Sequence, residues 1–89
     1  MITGTIRKLA ASESLTFEES LISMTQIMSG EVSEIQLAAF LVSLQIKGAT
    51  SDEIAGMATA MREKATQISL DYDLVDTCGT GGDGQNLFN

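Results

Sequence analysis

Eighty-nine residues, 44% of them hydrophobic and 19% charged, suit one small globular domain. The net charge of −7 argues against a nucleic-acid-binding surface, and one cysteine excludes an internal disulfide and fits a reducing cytoplasm. With no histidine, the chain holds no Cys–His or Ser–His pair and no His-based zinc site.

The charge is uneven. Residues 1–70 carry five basic and eight acidic side chains, whereas residues 71–89 carry four acids, Asp71, Asp73, Asp76 and Asp83, and no base. The N-terminus, Met1 to Lys8, has no apolar run of a signal peptide, and the longest near-apolar stretch, Leu37 to Ile46, is too short to span a bilayer. With no Trp and no Pro, and only three Phe and one Tyr, the core must come from Leu, Ile, Met and Ala. A core of that size is marginal, and oligomerisation is a common remedy.

Residues 3–12 read as a short helix with Ile6, Leu9 and Ala10 on one face. Three better-marked helices follow, at roughly 17–29, 34–47 and 51–69. Each opens with a capping-box pair: Thr16 with Glu19, Ser33 with Gln36, and Thr50 with Glu53. Gly30 and Gly48 stand where a left-handed C-terminal cap is wanted, and Lys47 lies near the negative end of its helix dipole.

Phe17, Leu21, Met24 and Met28 form one apolar stripe, with Ile27 beside it; Ile54, Met57, Ala58, Met61, Ala65 and Ile68 form another. The segment Leu37 to Val42 is apolar all round and is expected at the centre of the bundle. Its capping box and Gly48 favour helix over buried strand. The methionines are expected as core fillers, and Lys47 and Arg62 as caps or solvated groups at helix ends.

After Ser69 the pattern changes. Residues 74–78 read as a strand, and a domain boundary is expected near 69–73. The fold expected is therefore all-α. A bundle of about four helices over 1–70 is followed, over 71–89, by a short strand and glycine-rich loop that begin an α/β domain continuing beyond the chain.

Four glycines fall within residues 79–84, in the run Gly79-Thr80-Gly81-Gly82-Asp83-Gly84. A glycine-dense loop after a strand lets backbone N–H groups turn inward around an anion, so a phosphate or pyrophosphate site is the first functional reading, with a plain flexible loop as its alternative. No Lys-Ser/Thr closes the run as in a P-loop; Gly79, Gly81 and Gly84 fit the spacing of the dinucleotide-binding fingerprint, but the second glycine of the Gly81-Gly82 pair then has no role, so the run is not read as one. Cys78, with no histidine to activate it, reads as a small buried strand residue rather than a nucleophile.

The order Asp76-x-Cys78-Gly79-Thr80-Gly81-Gly82-Asp83-Gly84, closed by Phe88-Asn89, resembles the glycine-rich signature of the anthranilate phosphoribosyltransferase family. The helical part is similar to that family's N-terminal domain at Met24 to Glu31, Gln36 to Leu41, Lys47-Gly48, Glu53 to Gly56 and Ala60 to Arg62. The resemblance covers the chain from about residue 9 to 89. Class II pyrimidine nucleoside phosphorylases and nucleic-acid-binding relatives share the helical domain and form the alternatives. The former carry Lys-x-Ser-Thr-Gly-Gly where this chain has Thr77 to Gly82, and the latter have a more basic surface.

The resemblance implies transfer of the phosphoribosyl group of 5-phosphoribosyl 1-diphosphate to anthranilate, with release of diphosphate, in cytoplasmic tryptophan biosynthesis. It places Gly79 where donor and anthranilate meet, Thr80 and Gly81 in the same loop, and Gly82 and Asp83 along the diphosphate. Asn89 begins a further diphosphate-gripping segment. For Asp83, the backbone N–H is the expected contact; a plain turn role is equally open. Leu87 replaces a Ser or Thr common in the family, so one hydroxyl contact is missing. Mg2+ is implied, held mainly by residues beyond this chain, and so is a homodimer formed through the helical domain. The resemblance implies neither a nucleic-acid nor a membrane partner. These 89 residues on their own are expected to lack transferase activity.

Overall fold

The computed structural model describes the backbone of residues 1–75 and the side chains of residues 1–70. The described chain is four helices: α1 (Ile2–Ala10), α2 (Phe17–Met28), α3 (Glu34–Lys47) and α4 (Ser51–Val75).

All three capping boxes form. The Thr16 hydroxyl accepts the Glu19 N–H at 3.0 Å, and the Glu19 carboxylate accepts the Thr16 N–H at 2.9 Å. Ser33 and Gln36 do the same at 3.1 and 3.0 Å, as do Thr50 and Glu53 at 3.2 and 2.7 Å. Each box satisfies two of the N–H groups that a helix start leaves without partners.

The stops differ in chemistry. After α2, Gly30 takes φ 76 and donates to the Ile27 carbonyl, while Glu31 donates to Gln26. After α1 the same left-handed cap falls on Ser12, at φ 62, with Ser12 N–H bonded to Leu9 O and Glu13 N–H to Lys8 O. That ending places the helix at 2–10 rather than 3–12. Nothing but a serine marks the turn.

Helix α4 is longer than expected. Its sequence from 57 to 75 holds neither Gly nor Pro to end it, and it continues to Val75. Leu74 and Val75, read as the start of a strand, are therefore helical; the rest of that expected strand, 76–78, lies outside the described residues.

The packing corrects two expectations. Helix α2 lies along α4, and α1 along α3; α1 also meets α2 over a short stretch. Ser20 and Ser23 of α2, and Glu53, Gly56 and Ala60 of α4, are buried, whereas Phe17, Ile54 and Met61 are exposed. On both helices the buried face lies about 100° round from the stripe of large apolar residues, one residue's rotation. Small side chains decide this, because only they let two backbones approach. A Cβ at Gly56 would overlap the Phe17 carbonyl oxygen and lie 2.8 Å from Ser20 Cβ. Ser20 Oγ, fully buried in this contact, has no hydrogen-bond partner among the described residues.

Helix α3, expected at the centre, is not there. Phe40 is its one fully buried residue; Ile35, Val42 and Ile46, at 83%, 55% and 80% exposure, line the opposite side. With α2 and α4 committed to each other, α3 has α1 on one side and no described helix on the other. The core collects Ile2, Leu9, Leu15 and Phe40, with Ile6, Met24, Ile27, Val32, Leu44 and Met57 packed against it. Met24 and Met57 thus serve as core fillers, while Met61 does not.

Candidate functional site

The loop residues proposed from the sequence, Gly79, Thr80, Gly81, Gly82, Asp83 and Asn89, lie outside the described residues, as does Cys78. What the structure shows is the helical body that precedes them in the chain. Its most concentrated chemistry is a buried carboxylate.

Glu53 is fully buried at the start of α4. Its Oε2 accepts the Leu15 backbone N–H at 2.8 Å; its Oε1 accepts the Thr50 N–H at 2.7 Å and the Lys47 ammonium at 2.8 Å. Lys47 is itself almost buried, with 7% of its side chain exposed, and also donates to the Gly48 carbonyl at 2.7 Å. One carboxylate therefore ties the α1–α2 connection, the end of α3 and the start of α4. Burial pushes the Glu53 carboxyl up, but the Leu15 N–H, Lys47 and the Thr50 N–H together outweigh it and hold the group below its ordinary value.

Sequence reasoning saw Glu53 as a capping residue and Lys47 as a group at a helix end. It missed their pairing. The signal was available: a short connection, 48–50, must bring the last residue of α3 close to the first turn of α4. Arg62, also read as a helix-end group, lies inside α4 and donates to Thr59 Oγ1 at 3.2 Å.

A second polar link is more open. Lys8 of α1 reaches both carboxylate oxygens of Glu19 on α2, at 3.0 and 3.1 Å. The Thr16 N–H first, and then Lys8, hold the Glu19 carboxyl below its ordinary value. A third link is the buried hydroxyl contact between Thr5 and Ser23, at 2.9 Å.

Each of these groups is occupied with structure. Among the described residues no cluster of three or more His, Cys, Asp or Glu side chains could hold a metal ion. None of the described helices is long and apolar enough to cross a membrane.

A four-helix body of this kind, held by caps and a buried ion pair and followed in the sequence by a glycine-rich run, defines a helical-bundle domain. The helical bundle domain of the glycosyl transferase family matches residues 3–65, and the chain belongs to that family. It is 52% identical over 89 residues to an anthranilate phosphoribosyltransferase of Cellvibrio japonicus (strain Ueda107), covering 99% of this chain and 26% of that protein. It is 50% identical over 88 residues to the anthranilate phosphoribosyltransferase of Chloroflexus aggregans (strain MD-66 / DSM 9485), with 99% and 26% covered. The bifunctional protein TrpGD of Thermotoga maritima is 51% identical over 89 residues, 99% of this chain and 15% of that protein. The chain thus spans about a quarter of the length of the first two relatives and less of the third. No solved structure matches it.

Proposed function

We propose that the chain is the N-terminal part of an anthranilate phosphoribosyltransferase. This enzyme of cytoplasmic tryptophan biosynthesis moves the phosphoribosyl group of 5-phosphoribosyl 1-diphosphate to the amine of anthranilate and releases diphosphate. One observation carries the reading. The helical-bundle match stops at residue 65, but identity of about one half to relatives of that name extends over 99% of the chain, and so through the glycine-rich loop.

In this reading residues 1–70 are the helical domain and residues 71–89 begin the donor-binding domain. Gly79, Thr80, Gly81, Gly82, Asp83 and Asn89 contact the phosphoribosyl donor. Backbone N–H groups of the loop stabilise the negative charge that grows on the leaving diphosphate. In this reading Mg2+ is held mainly by residues beyond these 89 and, when bound, neutralises charge on the diphosphate.

The helical domain supplies a homodimer contact. The support is the outer side of α3, where Ile35, Val42 and Ile46 recur on one side of the helix and stand exposed.

The test is a transplant. Residues 1–89 replace the aligned segment of the Cellvibrio japonicus protein, and anthranilate fluorescence is followed after adding 5-phosphoribosyl 1-diphosphate. Donor-dependent loss of fluorescence is expected. A folded transplant that leaves anthranilate untouched, beside an active parent, refutes the reading.

A further inference from the structure

The helices approach one another in two different ways. Within the α2/α4 pair the contact is backbone-close, with Gly56 against the Phe17 carbonyl, Ser20 and the Leu21 backbone. Helices α1 and α3 form the second extensive pair, and α1 meets α2 only briefly. Between the pairs the space is filled by longer side chains: Ile2, Leu9, Leu15 and Phe40 face Met24, Ile27 and Met57. Flexible methionines fill such a seam without fixing one geometry.

Three polar links fasten the seam, and they are unequal. Lys8–Glu19 is about one-third exposed on both sides, and Thr5–Ser23 is neutral. The Glu53–Lys47 pair is buried and also holds the Leu15 N–H. Lys47 is the charged group facing this carboxylate from α3. The α1–α2 connection offers it the Leu15 N–H, and the residue before α4 offers the Thr50 N–H.

We infer that the bundle consists of two stiff helix pairs, α1/α3 and α2/α4, that separate along this seam as cooperative units, with Glu53 as the latch that keeps it closed. Opening costs the latch as a whole. Lys47 loses its counter-ion and the Leu15 N–H its acceptor in one step, so partly open states gain little. The α2/α4 contact does not depend on the seam and survives its opening. Separable units of this kind show as groups of amides with distinct opening free energies.

Native-state hydrogen exchange on the unaltered chain, followed through rising denaturant, tests this. The amides of α1 and α3, with Leu15, are expected to converge on one opening curve. Those of α2 and of α4 around Gly56 should converge on a second, with exchange slower by about tenfold or more. Gly56→Ala is the discriminating variant, because its strain is present whether the seam is open or shut. It should speed α2/α4 exchange by roughly tenfold while leaving α1/α3 exchange nearly unchanged. Glu53→Gln removes the latch from the closed state and should speed both groups by a similar factor. One shared curve for all four helices overturns the inference, and so does Gly56→Ala speeding both groups equally. If Gly56→Ala does not fold, the curves of the unaltered chain decide.

Discussion

The Glu53 carboxylate accepts the Leu15 backbone N–H at 2.8 Å, across 38 residues of chain, while Lys47 holds its other oxygen at 2.8 Å. Glu53→Gln leaves Lys47 without a counter-ion in a buried position and should cost about 3–5 kcal/mol, read from urea denaturation. The pH dependence has a definite sign. The folded-state carboxyl lies below its unfolded value, so the stabilisation is fully present above the unfolded value and is lost as pH falls through the folded one. Acid unfolding of the wild-type chain should be steeper than that of Glu53→Gln below the ordinary carboxylate range. Parallel acid profiles would contradict this.

Gly56 and Gly4 are both helical but should respond oppositely to alanine. A Cβ at Gly56 meets the Phe17 carbonyl and Ser20 Cβ, whereas one at Gly4 meets nothing within 4 Å. Gly56→Ala should destabilise by about 1–3 kcal/mol, because backbone must move. Gly4→Ala should stabilise by roughly 0.5–1 kcal/mol through helix propensity. Melting temperatures of the two variants give both signs in one experiment.

Ser12 ends α1 at φ 62, where glycine carries no steric cost. Ser12→Gly should therefore stabilise by up to about 1 kcal/mol, the relief of left-handed strain being partly offset by the freer unfolded chain. A fall in melting temperature would show that the serine side chain does something the geometry does not display.

Ser20 is buried with its hydroxyl unpaired, against the Gly56 backbone. Ser20→Ala removes an unsatisfied polar atom and leaves the methyl-sized contact in place. It should be neutral or stabilising by up to about 1 kcal/mol. A clear loss of stability in thermal denaturation would count against this packing.

The helix starts were legible because capping chemistry is local. Thr16, Ser33 and Thr50 announce their turns within three residues, and each box forms. The packing faces were not legible, because large apolar side chains catch the eye while small ones set how closely backbones approach. Gly56 and Ser20 carry the close α2/α4 contact, and Ile54, Phe17 and Met61 are left outside. The same cause misplaced α3. An all-round apolar helix reads as central, yet Ile35 and Ile46 face away from every described helix. The glycine-rich run from Gly79 to Gly84 was the clearest functional signal in the chain, since its meaning lies in residue order rather than packing. It falls outside the described residues, so its reading rests on the sequence and on relatives whose similarity extends over 99% of the chain.

In the proposed function this domain pairs two copies of the protein, and the surface proposed for the contact is the exposed side of α3 at Ile35, Val42 and Ile46. Sedimentation equilibrium across a concentration series, on the chain and on Ile46→Lys, measures it most directly. A monomer–dimer equilibrium is expected for the chain and a monomer for the variant, with unchanged helicity in both. A chain that stays monomeric at every concentration, or an Ile46→Lys variant that dimerises as well as the parent, contradicts it.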